Sequence, residues 1–222
     1  MRLTLYGHAC VRLDGGTDLG TRLVVDPGTL ADAAAALHGA TAVLVTHEHP
    51  DHVDAGVVVP ALQADPALEA WGTPGAVELL DAAGAPAGRL HAVAPGDLLE
   101  LGDARVTVGG GLHAVIHERL GRIENRTYLV ELDGAVVHHP GDSFDPPPRA
   151  VDVLLTPVAA PWLRLADAID HTLAASARIV VPIHDAPLSE VGHGLVAKFL
   201  DTARLGGGHE YRRLRAGESL DL

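Results

Sequence analysis

Four metal-ligand side chains fall within six residues of the segment Thr46-His47-Glu48-His49-Pro50-Asp51-His52, in the pattern H-x-H-x-D-H. Imidazole and carboxylate without thiolate suit Zn²⁺, Mn²⁺ or Fe²⁺, with zinc the default expectation. Residues two apart on extended chain point the same way, so His47 and His49 can reach one cation, while the following turn sends Asp51 and His52 toward a neighbouring position. One short loop can thus serve two metals. Two divalent cations side by side would share a water, lower its pKa toward neutrality and hold it against a bound carbonyl or phosphoryl group. That is the chemistry of hydrolysis, with water rather than a side chain as nucleophile. The competing reading is a solvated turn in a chain with 14 histidines. The length of the pattern and the apolar run before it favour the metals.

Such a loop needs a rigid base. Ala42-Val43-Leu44-Val45 is a short continuous apolar run ending in Thr46-His47, as expected of a strand buried on both faces. Before it, Arg2–Tyr6, Ala9–Leu13 and Arg22–Val25 read as strands, and Ala-rich Leu30–Leu37 as a helix. Thr73–Ala83 is a helix with Thr73 as N-cap, Pro74 in the first turn and Gly84 beyond its end. A second run of strands is expected at Arg89–Val93, Leu98–Leu101, Arg105–Val108, His113–His117, Thr127–Leu132 and Ala135–His138, with turns at Gly102-Asp103 and Asp133-Gly134. Strands at Asp152–Thr156 and Arg178–Ile183 then alternate with helices at Ala166–Ser176 and Ser189–Ala203. With no linker between the two halves, the pattern implies two packed sheets with helices outside, an α/β fold of αββα type in a single domain over residues 1–222.

Composition narrows the function. Net charge is −13 and Lys198 is the sole lysine, so nucleic acid is not an expected partner. No stretch approaches the roughly 18 apolar residues that span a bilayer, and the start lacks a signal-peptide core, so a cytoplasmic protein without membrane contact is expected. The single cysteine, Cys10, excludes an internal disulfide and reads as a small buried hydrophobe. A small-molecule substrate is the expected partner. Association into a homo-oligomer is left open.

H-x-H-x-D-H after a strand resembles the signature of the metallo-β-lactamase superfamily, and Leu5-Tyr6-Gly7-His8-Ala9 and Val24-Val25-Asp26-Pro27 are similar to its opening strands. The resemblance spans essentially the whole chain and implies the four-layer αββα sandwich of that family. It also implies a dinuclear centre, in which His47 and His49 hold one metal and Asp51 and His52 the other. The third ligand of the first metal is then His113, after Gly110-Gly111-Leu112, or its rival His117. Spacing does not separate them on a strand, and the glycines favour His113. Asp142, in His139-Pro140-Gly141-Asp142-Ser143, matches the bridging carboxylate, and His184, in Val181-Pro182-Ile183-His184-Asp185, the last ligand.

Further expectations attach to neighbouring residues. Asp51 is the candidate catalytic residue, orienting the nucleophile or passing its proton to the leaving group. His8 would lie beside the site, Asp26 and Asp185 would orient imidazoles or be simple turn residues, Trp162 would wall the pocket or plug the core, and Asn125 and Arg126 would bind an anionic group or form a solvated turn. Within the superfamily the chain is most similar to the compact branch related to the L-ascorbate phosphate lactonase, which implies a small ester, lactone or phosphoester substrate. The alternatives are a phosphodiesterase or nuclease, and a non-hydrolytic di-iron redox or metal-binding protein.

Overall fold

In the computed structural model, residues 1–201 and 207–222 are described. Strands β1 (Arg2–Gly7), β2 (Cys10–Gly15) and β3 (Thr21–Val25) form an antiparallel meander, to which β4 (Ala42–Val45), β5 (Glu69–Gly72) and β6 (Leu90–Ala92) add in parallel. Helices α1 (Ala33–Leu37), α2 (Ala55–Ala64) and α3 (Pro74–Ala82) make the crossovers that parallel pairing requires. The second sheet repeats this plan. The meander β7 (Leu98–Leu101), β8 (Ala104–Leu112), β9 (Glu124–Leu132), β10 (Ala135–His139) is followed by parallel β11 (Val151–Pro157), β12 (Ala177–Ile183) and β13 (Glu210–Tyr211). Here α4 (Leu165–Ala174) and α5 (Glu190–Leu200) are the crossovers. A last strand, β14 (Ser219–Asp221), closes the first sheet beside β1.

The sheets meet face to face. Leu3, Leu5, Leu23 and Leu44 of the first pack with Val106, Val130, Leu155 and Val181 of the second in one core. Strand β4 shows why its sequence is apolar throughout: Ala42 and Leu44 face this inter-sheet core, whereas Val43 and Val45 lie in a second core beneath α1, α2 and α3. Tyr128, fully buried, spans the layers and donates its hydroxyl proton to the Val45 carbonyl, 2.9 Å away. Cys10 is buried, as expected. Among the described residues no helix is long and apolar enough to cross a membrane.

Local signals located most elements. Thr73 caps α3 by accepting from the Ala76 N–H at 3.1 Å, and Asp133-Gly134 turns between β9 and β10 with both residues at positive φ. Three expectations are corrected. The strand near Arg89–Val93 belongs to the first sheet, as β6 beside β5, because pairing partners are chosen across the sheet and not along the chain. Residues 113–117 are not a strand: β8 ends at Leu112 and a loop follows. The helix expected from Leu30 begins only at Ala33, where Asp32 caps it. Elements α2 and β5 carry little local signal, since Val57-Val58-Val59-Pro60 reads as β-branched chain with a helix breaker. Ser189 caps α5 as expected; Thr202 and Ala203, the expected end of that helix, lie outside the described residues.

Two buried histidines make the fold acid-sensitive. Burial pushes the His138 imidazole down to about 3 and the His171 imidazole, against Phe144, down to about 4. The folded state therefore favours their neutral forms. Their contribution to stability is complete above the unfolded-state pKa near 6.5 and is lost as pH falls from there toward 4 and then 3. At pH 5 each costs at most about 2 kcal/mol. Urea unfolding of chelator-treated protein should show a loss between pH 7 and 5, smaller in His171→Gln by up to about 2 kcal/mol at pH 5. A pH-independent midpoint over that range would contradict it.

Candidate metal centre

All seven sequence-predicted ligands converge. His47, His49, His113 and Asp142 form one group and Asp51, His52 and His184, together with His8, another, the donor atoms of each group lying within 4.8 Å of one another. Asp142 touches both: its Oδ2 is 3.2 Å from His113 Nε2 and 3.3 Å from His184 Nε2, and its Oδ1 is 3.1 Å from His52 Nε2. His47 Nε2 lies 3.1 Å from His49 Nδ1.

The backbone brings them together through loops leaving strand ends. The motif loop after β4 turns tightly, with the His52 and Val53 N–H groups donating to the His49 carbonyl at 2.9 and 3.0 Å. Gly28, after β3, packs directly on the Asp51 carbonyl where any Cβ would collide, and the Thr29 and Asp54 N–H groups tie the two loops through the Pro50 and Pro27 carbonyls. Asp142 follows β10 through Gly141, whose φ of 57° and contact with Asn125 exclude a side chain. Three residues of the centre, His8, Asp26 and His184, take left-handed backbone (φ 52°, 52° and 56°), half of the non-glycine residues that do so among those described. Such conformations cost about 1 kcal/mol or more each and persist where surrounding bonds enforce them.

The outer nitrogens of four imidazoles are spoken for. Asp26 Oδ2 lies 2.7 Å from His52 Nδ1 and also accepts from Thr46 Oγ1 at 2.8 Å, while its Oδ1 accepts from the Thr46 N–H at 2.8 Å. Having donated to Asp26, Thr46 Oγ1 accepts from His47 Nδ1 at 3.0 Å. His113 Nδ1 donates to the Ala114 carbonyl and His184 Nδ1 to the Ala159 carbonyl, each at 2.6 Å. With Nδ1 protonated, each of these four imidazoles turns an Nε2 lone pair inward. The Nε2 atoms of His52, His113 and His184 and the Oδ1 of Asp142 are buried without a hydrogen-bond partner. Lone pairs facing carboxylates, unpartnered and dry, are costly unless a cation lies between them.

Electrostatics agree. Burial works against charge on His52, yet Asp142 and Asp26 draw its imidazole well above the ordinary range, and Asp142 and Asp51 likewise draw His184 up to about 9. Burial also opposes ionisation of Asp142, but His52, His113 and His184 hold it far below the usual carboxylate range. The pocket calls for positive charge, and its donor set fits divalent cations.

The structure separates the rivals. His113 sits at the centre, pinned by the Ala114 N–H donating to the Asp142 carbonyl at 2.8 Å. His117 lies exposed on the loop, its Nδ1 accepting from the Arg119 N–H at 3.1 Å. Accordingly, His113→Ala should lower metal affinity by two orders of magnitude or more, roughly the value of a lost ligand, while His117→Ala leaves it unchanged. Competition with a chromophoric chelator measures both, and equal losses would return His117 to the ligand set.

Neighbouring residues take definite places. His8 is a positioning group: its Nδ1 accepts from the Ala186 N–H at 3.3 Å, so Nε2 carries the proton donated to Asp51 Oδ2 at 3.2 Å, while its carbonyl accepts from the His184 N–H at 2.9 Å. Burial keeps that imidazole neutral by lowering its pKa. Trp162 is at the pocket, donating from Nε1 to Asp142 Oδ2 at 3.1 Å. Two expectations are corrected. Asp185 faces His193 at 3.8 Å and orients no ligand. Asn125 and Arg126 are buried and do not form a solvated turn: Asn125 bonds the Pro140 carbonyl and the Asp142 N–H, fixing the backbone at Asp142, and Arg126 pairs with Glu124 and the Val93 carbonyl. The strand was expected only from Thr127, whereas β9 begins at Glu124 and carries both residues.

Residues 2–184 match the family model described as the beta-lactamase superfamily domain. The chain is 39% identical over 197 residues to Protein Rv0786c of Mycobacterium tuberculosis, covering 88% of this chain and 89% of that one. It is similar to the structure of Igni18, described as a metallo hydrolase, from Ignicoccus hospitalis, with a TM-score of 0.70, 17% identity and coverage of 99% and 97%. It also matches CmlA, described as a diiron beta-hydroxylase, from Streptomyces venezuelae, with a TM-score of 0.75, 17% identity and coverage of 100% of this chain and 54% of that one. At such identities the likeness is one of fold, and the two descriptions differ in chemistry.

Proposed function

The chain belongs to the beta-lactamase superfamily, and from that membership we propose that it is a metal-dependent hydrolase with a dinuclear centre, zinc the expected metal. His47, His49 and His113 would hold one cation, Asp51, His52 and His184 the other, and Asp142 would bridge them. The observation that carries this reading is the convergence of unpartnered, buried His52, His113 and His184 Nε2 atoms on Asp142. When bound, the cations supply Lewis acidity toward water and toward a substrate carbonyl or phosphoryl oxygen.

The protein's own groups do the rest. Burial opposes ionisation of Asp51, yet the nearby His184 imidazole and the hydrogen bond from His8 hold its carboxyl well below the usual range. It stays charged and is a weak base, which supports an orienting role over storage of a proton. Trp162 fixes the rotamer of Asp142 from the pocket side. Leu112, at the end of β8, and Val115, Ile116 and Leu120 on the loop that follows, all exposed, flank His113 in sequence. That apolar rim supports a substrate with an apolar portion, a carboxylic ester or lactone ahead of a phosphoester, and so a lactonase-like activity. The net charge of −13 speaks against a nuclease.

Elemental mass spectrometry of protein purified without added metal tests the centre. About two equivalents of one divalent metal are expected, falling to one or fewer in His49→Ala, and the loaded wild type should cleave simple aryl esters or lactones. Iron with visible absorbance and no esterase activity would move the chain to redox chemistry. Failure to take up metal after reconstitution would overturn the dinuclear reading.

A further inference from the structure

Helix α5 has two apolar faces. His193, Val196 and Leu200 are buried against the protein body. On the other side Val191, Leu195 and Phe199, at i, i+4 and i+8, are 75%, 52% and 43% exposed. A surface helix ordinarily carries charge on its outer face, and this chain is strongly acidic, yet no carboxylate occurs from Val191 to Leu200. The stripe runs into an apolar trough of about 480 Å³ lined by Leu163, Leu165, Pro187, Leu188 and Leu195.

Gly194 lies on the same exposed side. Its backbone is ordinary helix, and nothing among the described residues comes within 4 Å of where a Cβ would stand. A glycine there costs roughly 1 kcal/mol relative to alanine, and no contact among the described residues accounts for it. Close approach of another helix would.

We propose that this face joins two copies of the chain, with α5 packed antiparallel on its counterpart across a two-fold axis at Gly194–Leu195. The sequence of the helix is self-complementary about that axis. Antiparallel pairing sets Val191 against Phe199 of the second copy, and sets Glu190 against Lys198, each four residues from Gly194. Glu190 is 77% exposed and is held in place by Arg213 of its own chain. Reciprocal contacts of this kind are those of an isologous dimer. Its one carboxylate, Glu190, is paired with Arg213, so this face is also where two chains of net charge −13 repel least. The inference does not depend on the hydrolase reading.

Sedimentation velocity on the metal-bound chain tests it, from about 1 to 100 µM, the range expected for a small interface. A species of 2 × 23.0 kDa, giving 46 kDa, should form at the upper end and dissociate on dilution. Leu195→Glu, a change at an exposed position, should weaken association at least 100-fold with circular dichroism and metal content unchanged. Glu190→Lys should weaken it about tenfold, and adding Lys198→Glu should restore it. A chain that stays monomeric at the upper end, or a dimer indifferent to Leu195→Glu, overturns the proposal, and failure of the charge exchange to restore association overturns the antiparallel register.

Discussion

Asp142→Asn is expected to lower kcat/KM by at least about 10³-fold, roughly 4 kcal/mol of transition-state stabilisation, and to reduce bound metal below two equivalents while the protein stays folded. The substitution keeps the shape of the side chain and removes its charge. That charge faces three imidazole Nε2 atoms at 3.1 to 3.3 Å and accepts the Trp162 indole proton at 3.1 Å. No other carboxylate among the described residues touches both groups of ligands, so a neutral amide leaves neither cation its shared anion. Trp162→Phe is the internal control. It removes one hydrogen bond to Oδ2 and leaves the charge, and a loss of about tenfold with two metals retained is expected. Steady-state kinetics paired with elemental analysis separates the outcomes, and an Asp142→Asn protein with full metal and full activity would remove Asp142 from the mechanism.

The second large effect lies one residue beyond the ligands. Asp26 is fully buried at positive φ and its carboxylate takes three bonds, from the Thr46 N–H, the Thr46 hydroxyl and His52 Nδ1. Asp26→Ala strands those donors in a dry interior, and a loss of about 3 to 5 kcal/mol of stability is expected. His52 also loses the group that orients its ring, so affinity for the second metal should fall by about 10 to 100-fold. Asp26→Asn retains an acceptor but not the charge and should fall between. Urea unfolding reads the first effect and chelator competition the second. Unchanged affinity for the second metal in Asp26→Ala would show that His52 is held by packing alone.

Much of this centre was legible because metal chemistry leaves local traces. His47, His49, Asp51 and His52 stand together after a four-residue apolar strand, and Asp142 and His184 each follow a strand within three residues. The two-sheet plan was legible for the same reason, since β4 is buried on both faces and reads as apolar throughout.

Other features depend on chain segments far apart. His113 and His117 stand four residues apart, with only the glycines before His113 to favour it, and the structure parts them because β8 stops at Leu112 and Ala114 bonds the Asp142 backbone. Strand β6 resembles its successors in composition and joins the other sheet because β5 and α3 place it there. Asp185 directly follows His184 in sequence and Asp26 is far from any of the seven residues, yet it is Asp26 that meets one of their imidazole nitrogens, His52 Nδ1, across 26 residues, while Asp185 faces His193.

The amino-acid sequence by itself determined which donors are present, in what order, and on the ends of which strands, because periodicity and motif spacing are properties of neighbouring residues. Only the tertiary structure decided which imidazole nitrogens face inward, that Asp26 and not Asp185 meets His52, and which rival histidine is left in solvent. Those choices follow from burial and long-range hydrogen bonding, whose partners lie up to 178 residues apart, as between His8 and Ala186, and no local pattern records them.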